Sequence, residues 1–380
     1  MRALIVALAL APATLLAQQP RTLDLGRPTA THAEPFGLIG GLRERQDGTV
    51  LIADPTDGVL RQLDRTLARA TVVGGTGSGP GEYKQPDAVW ALPADSTLLV
   101  DLGNNRLVRL GPDNGFGSYR PIIAGEGPGQ MQLMLVRGVD ARGRLYFRGM
   151  PSPGGEADSL PVQRAGTNGE NPQTVAMLKG PEMKTTTSGG PNNRSTSSQQ
   201  VPLSPTDGWA VSRAGLVYLV RANDYHVEVI TPTGAVVRGA PIAYEPVRIT
   251  DAEKEEFLTE SRRQGGLSIG VQNENGQMSF SLGRGAPRSD RTRELPWPET
   301  KPPFDAGDLW VDGLERLWVR RHLAAGQPPR YDIFTPNGQR VAMVTLGANR
   351  RVIGMGEGTV YVARNDDDDL QYLERYVLPR

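Results

Sequence analysis

Six short apolar runs in this 380-residue chain end in residues able to bind charge: Asp54, Asp101, Arg148 followed by Gly149, Arg221, Arg321 and Arg364. The first two are carboxylates and the rest guanidiniums, with Arg320 adding to the basic side. Guanidiniums converging in a partly dehydrated pocket would take a carboxylate, a phosphate or an acidic sugar through paired, charge-assisted hydrogen bonds. The competing reading keeps each charge local, with Arg221 answered by Asp224, Arg364 answered by Asp366 to Asp369, and Asp54 and Asp101 capping turns. Structural ion pairs of that kind often resemble sites.

Whether these groups converge depends on the elements that carry them, and those elements repeat. The clearest copy runs from Gly74 to Leu110: a glycine-rich approach to Pro86, a strand from Ala88 to Leu92, a turn at Ala94-Asp95, a strand from Thr97 to Asp101, and a third strand from Arg106 to Leu110. The turn before the second strand recurs at Asp47-Gly48, Arg142-Gly143, Ala214-Gly215, Leu314-Glu315 and Glu357-Gly358. Six anchors imply six blades, and blades of roughly 45 residues with added loops fill the chain as an all-β, six-bladed β-propeller. Second strands such as Val50-Leu51-Ile52-Ala53 and Val217-Tyr218-Leu219-Val220 are continuous apolar runs, as a strand buried on both faces requires. Blade six lacks a fourth strand before the chain stops, so Thr22 to Gly26 is expected to close the ring as its outermost strand.

Antiparallel order puts the loop between second and third strands, and the loop to the next blade, on one face. All three long insertions, residues 149–159, 180–207 and 241–307, belong to that class. Lys184 to Gln200 has no apolar period and is expected to be mobile or ordered only by its neighbours. Thr250-Asp251-Ala252-Glu253 is a capping box, predicting a helix from Asp251 to about Gln264 that ends at Gly265-Gly266. Phe257 and Leu258 should face the propeller, and Glu255, Glu256, Arg262 and Arg263 solvent. Leu267 to Pro303 reads as a movable cover over the mouth.

The blade-two stretch resembles the NHL-repeat family, in which a glycine-rich lead, a proline, a short strand, a strand ending in Asp and an Asn-Asn-Arg turn recur. Here Pro86, Asp101 and Asn104-Asn105-Arg106 carry the resemblance. Blade one keeps Asp54 but has Asp57-Gly58 at the Asn pair, and blades three to six carry Arg or Gly at the Asp position. The resemblance implies a fold and a habit of binding macromolecules or small ligands, and no reaction. The Asp101 unit also has a structural account, since Asp accepts backbone N–H bonds across the turn and Asn tolerates the left-handed conformation.

Composition narrows the function further. Forty-two basic and forty-two acidic residues leave the chain neutral, so long-range attraction to nucleic acid or anionic membrane is not indicated. With no cysteine there is no disulfide or thiolate metal site. His32, His226 and His322 share no short ligand spacing. Six-bladed sugar lactonases hold a central metal with Glu, Asn and Asp. Asp101 and Asn104 could contribute, but no Glu stands at a first strand and Glu82 lies in a glycine loop. Gly74 to Gly81 lacks the Lys and the helix of a phosphate loop, and Asp366 to Asp369 lacks the spacing of a calcium loop. No Ser-His-Asp set sits in a nucleophile elbow. No cofactor is expected and no catalytic residue is assigned.

Met1 to Ala17 reads as a secretory signal cleaved after Ala17, with Arg2 ahead of a short apolar stretch. The remainder, residues 18–380, reads as one propeller domain without a membrane span, in the periplasm or outside the cell. The expected role is binding or scaffolding of a protein, peptide or glycan at the capped mouth. The alternative is a metal-dependent sugar lactonase or lyase using the same mouth.

Overall fold

The computed structural model describes residues 20–124, 132–150, 158–188, 195–274, 277–285, 294 and 296–380; the signal segment Met1 to Ala17 lies outside them. Among the described residues no helix is long and apolar enough to cross a membrane. Six antiparallel sheets form the blades of a ring. From the inside outward, blade one is Gly41–Glu44, Val50–Asp54, Val59–Leu63 and Ala70–Val72. Blade two is Pro86–Ala91, Thr97–Asp101, Arg106–Leu110 and Phe116–Pro121, and blade three is Val136–Val139, Leu145–Arg148, Ser159–Ala165 and Gln173–Lys179. Blade four is Gly208–Val211, Val217–Arg221, His226–Ile230 and Val236–Arg238. Blade five is Phe304–Val311, Leu317–Arg321, Arg330–Phe334 and Arg340–Thr345, and blade six begins Arg350–Met355, Thr359–Asn365 and Gln371–Val377.

The second strands are the core. Val50–Asp54 and Thr97–Asp101 are buried at every position, and their leucines and valines pack against the neighbouring blade as well as their own. Fully buried tyrosines then pin blade to blade. Tyr218 of blade four donates to the Glu315 carbonyl of blade five at 2.5 Å, and Tyr225 donates to Asp332 at 2.7 Å. Tyr331 of blade five accepts the Val352 N–H of blade six at 3.1 Å. Between blades one and two the approach is so close that a Cβ on Gly40 would lie 2.5 Å from the Asp87 carbonyl, and one on Gly41 would lie 2.7 Å from Ala88 Cα. Only glycine allows the backbones to meet there.

The chain's beginning closes the ring, by a different segment from the one expected. Ala30–Thr31, not Thr22 to Gly26, pairs with the third strand of blade six, in the register Ala30↔Arg375 and Thr31↔Glu374. Arg21–Leu23 instead adds in parallel to the outer edge of blade five, as a fifth strand. Leu23 and Leu25 pack into the core shared by blades five and six, so their alternation reflects burial at that seam. The closing strand is anchored beyond its two residues: Thr29 N–H donates to Arg375 O at 2.7 Å, His32 N–H to Leu373 O at 2.9 Å, and His32 Nδ1 to Leu67 O at 2.7 Å.

The insertions carry more regular structure than their composition suggested. The helix, α1, spans Asp251–Gln264 as expected, and Gly265 ends it at φ 63°. Lys184 to Gln200 holds a hairpin, Met183–Ser188 with Ser195–Gln200. The supposed cover contains a second hairpin, Gly266–Glu274 with Gln277–Gly285. Each hairpin satisfies its backbone internally, which a polar composition permits.

Deleting residues 18–26 removes the extra strand of blade five, and deleting residues 18–33 also removes the closing strand. The longer deletion should cost about 2–4 kcal/mol more, at roughly 1 kcal/mol for each buried hydrogen bond lost. Urea melts would show it, and equal midpoints for the two truncations would rule out closure by Ala30–Thr31.

Candidate functional site: the capped mouth

Each innermost strand starts on the insertion face, and the second residues are Leu42, Asp87, Arg137, Trp209, Asp305 and Arg351; Leu42 and Trp209 pack into the seams between blades, and the other four are charged. Arg137 of blade three is under the electrostatic influence of Asp87 in blade two and of Asp305 across the ring in blade five. That places its charge toward the axis.

The cap is bolted to this face mainly by charge. Arg284, from the second hairpin, forks onto Asp87 through Nε and Nη2, the latter at 3.2 Å. It also donates to the Gly265 carbonyl at the end of α1 at 3.0 Å. Gln85 grips the Arg284 backbone with Nε2 to O at 3.0 Å and Oε1 from N at 2.9 Å. Leu282 enters the apolar core of blades two and three, and Leu258 of α1 is buried. Two helix residues expected in solvent act as clips instead. Glu256 accepts from Lys301 Nζ at 2.9 Å and from the Gly326 N–H at 3.0 Å, and Arg263 meets Asp369 at 2.6 Å. Glu260 pairs with Arg320. The rim under the helix is charged, so the inward face of the helix is charged too. Glu253 accepts the Thr250 N–H at 3.2 Å and the Ala325 N–H at 3.1 Å. Hydrogen bonding, first of all from the Thr250 hydroxyl, lowers its pKa to about 2 against the burial term.

The residues at the ends of the second strands do not gather at the axis, because that strand lies one position out and is enclosed by its neighbours. Asp54, wholly buried, accepts N–H bonds from Gly37, Leu38, Thr56 and Asp57. Asp101, also wholly buried, accepts those of Lys84 and Gln85 and the side chains of Asn104 and Arg106. Arg221 bonds Asp207 at 2.8 Å and Glu228 at 2.7 Å, not the expected Asp224. Burial opposes its charge, but these two partners more than compensate and raise its pKa. Arg321 lies over the Tyr225 ring and pairs with Asp332 at 3.0 Å. Arg364 pairs with Glu374 at 3.2 Å, not with Asp366 to Asp369.

A register rule underlies four of these pairs. The third-strand residue two beyond the cross-strand partner faces the terminal charge diagonally. That residue is Arg61 for Asp54, Glu228 for Arg221, Asp332 for Arg321 and Glu374 for Arg364. In blade three Arg148 stands opposite Val162, and the diagonal position holds Arg164. Blade three thus offers a like charge where blades one, four, five and six offer a partner.

Arg148 accordingly makes no hydrogen bond or ion pair to a described residue, and neither do Arg137 or Arg351. Arg148 and Arg137 are both accessible to water yet surrounded by protein, as groups lining a solvated channel are. Desolvation lowers the pKa of each, and Arg137 is further depressed by Arg284 and Arg148. The mouth is therefore short of negative charge at blade three.

Residues for a divalent metal do not come together in the same way. Among the described residues no three His, Asp or Glu side chains are arranged to hold a metal ion. Asp101 and Asn104 are spent on each other at 2.7 Å, and His226 is flanked by Asp224 and Glu228. His322 lines a cavity at the mouth, under α1.

No family model matches the chain, and no curated protein does. Among solved structures it is similar to a presumed exported protein from Bacteroides fragilis, with 12% identity over 93% of this chain and 94% of that one, at a TM-score of 0.47. It is also similar to the calcium-binding protein regucalcin from Agrobacterium tumefaciens, with 12% identity over 95% and 98% and a TM-score of 0.42. A gluconolactonase from Xanthomonas campestris shows 11% identity over 92% and 87%, at 0.40.

The pairing pattern separates scaffold arginines from free ones. Arg321→Ala leaves a buried carboxylate short of its partner and should cost about 3 kcal/mol. Arg148→Ala should stay within about 0.5 kcal/mol of the parent. Denaturant melts of the two variants check this, and equal losses would contradict the assignment. Glu253 gives a pH test: its pKa is depressed on folding, so its contribution is complete above the ordinary glutamate range and is lost as pH falls toward about 2. Melting of Glu253→Gln should accordingly depend less on pH over that interval than melting of the parent.

Proposed function

We propose that this is an exported propeller that binds an anionic group of a protein, peptide or glycan at its capped mouth. The observation that carries the reading is Arg148, whose diagonal neighbour is Arg164 and which has no partner among the described residues. A guanidinium kept unpaired beside others in a partly dehydrated channel is poised for a carboxylate or phosphate. Arg137 is the second contact, from the innermost strand of the same blade. Arg221, Arg321, Arg364, Asp54 and Asp101 serve this site by holding the blades and not by touching ligand. Export rests on Met1 to Ala17, and the NHL-like repeat of blade two is consistent with a binding role.

Calorimetric titration with an oligogalacturonate, a polyglutamate peptide and a neutral oligosaccharide tests the proposal. The folded protein should bind an anionic probe and not the neutral one. Arg137→Ala or Arg148→Ala should lose about 1.5–3 kcal/mol for each charged hydrogen bond removed. Arg164→Glu should weaken binding comparably by giving Arg148 the partner it lacks. Anion binding that is absent, or indifferent to all three variants, would refute the reading. A stoichiometric divalent ion found by elemental analysis, with a lower melting point on chelation, would favour the lactonase or lyase alternative.

A further inference from the structure

Between the inward face of α1 and blade five lies a cavity of about 240 Å³, with Asp305, Ala306 and His322 on one side and Glu256, Phe257 and Glu260 on the other. Most of its charge is satisfied: Glu256 by Lys301 and Gly326, Glu260 by Arg320. Two of its acceptors are left without a described donor, beside the Ser261 hydroxyl and the Gln264 amide, which line the same space and can donate or accept. His322 Nδ1 lies 3.0 Å from the Pro302 carbonyl oxygen. A carbonyl can only accept, so Nδ1 carries the proton and Nε2 a lone pair. Burial, reinforced by Arg320 and Lys301 and opposed by Asp305, holds the ring below the ordinary histidine pKa and therefore neutral. Asp305 takes the Gly307 N–H on one oxygen at 2.8 Å, and no described residue donates to the other.

Two acceptors without donors call for a ligand that brings donors. An ammonium would meet Lys301 and Arg320 nearby, and an anion would meet Asp305, Glu256 and Glu260. Neutral hydroxyls meet neither objection. The space is enough for one sugar ring. Phe257, which stacks edge-on with Trp297 at 5.4 Å, supplies an apolar wall. We propose that this cavity is a subsite for a neutral sugar ring, with hydroxyls donating to His322 Nε2 and to the free oxygen of Asp305. Asp305 acts electrostatically on both His322 and Arg137, so the subsite adjoins the anion-binding arginines. The ligand class is then a glycan that alternates acidic and neutral sugars. This rests on the anion-binding reading of the mouth and selects the glycan within it.

The test is calorimetry with an oligosaccharide of alternating uronic acid and N-acetylhexosamine, beside a homo-oligouronate and polyglutamate. The alternating glycan should bind most tightly. His322→Leu should weaken it roughly three- to tenfold, and Asp305→Asn, which keeps the shape but replaces an acceptor by a donor, tenfold or more. His322→Leu should leave polyglutamate binding unchanged, whereas Asp305→Asn, which removes a carboxylate acting on Arg137, should tighten it. In the parent protein the His322 imidazole resonances should shift on adding the alternating glycan, a readout that does not depend on how the variants fold. If anionic probes bind through Arg137 and Arg148 but the alternating glycan has no advantage and leaves His322 unmoved, the subsite is refuted and the mouth reading stands. If no anionic probe binds, both fall.

Discussion

Burial of each blade's second strand on both faces is the constraint from which the rest of this structure follows. The body of a strand enclosed by its own sheet and by the next blade has no free surface for a ligand, and a charge buried at its end must be answered at once. Asp54 and Asp101 answer theirs with backbone N–H groups, while Arg221, Arg321 and Arg364 do so with a carboxylate of the third strand. The ring is thereby closed and stiff, and variation is left to the innermost strands and the insertions.

The cap follows from the same division. Under the helix lie Lys301, Arg320 and the loops that follow the second strands of blades five and six, and α1 turns Glu253, Glu256, Glu260 and Arg263 toward them. Individual ion pairs of this kind contribute modestly when exposed, but here they are half-buried, directed and joined to two apolar anchors, Leu258 and Leu282. Arg284 does most to unify them, because one side chain touches the innermost strand of blade two and the end of α1.

Much of this was legible in the residues themselves. Continuous apolar runs fixed the second strands, and the capping box fixed α1 to its residue boundaries, since both signals are local. The closing strand was misplaced because Leu23 and Leu25 alternate as a strand does, whereas Ala30–Thr31 is too short to show any period. The second hairpin had a period-two signal in Leu267, Ile269 and Val271, and in Met278, Phe280 and Leu282, that its glycines and arginines obscured. Arg137 was passed over because one arginine after a valine has no local signature. It becomes visible only when the second residues of all six innermost strands are aligned.

The diagonal rule was also present in the sequence, at spacings of seven residues for Asp54 with Arg61 and Arg221 with Glu228, and longer where the turn is longer. It could not be read without register, because a longer turn between second and third strands shifts the spacing while preserving the geometry. Once register is known, blade three stands out: a cross-strand charge pair elsewhere satisfied is replaced there by two arginines. Arg164 turns to Gln173, so Arg148 is left without the charge partner that a third-strand carboxylate supplies in blades four, five and six. An anionic ligand resting on Arg148 would supply that partner, and it would rest at the one blade whose inner strand brings a second unpaired guanidinium, Arg137, to the same face.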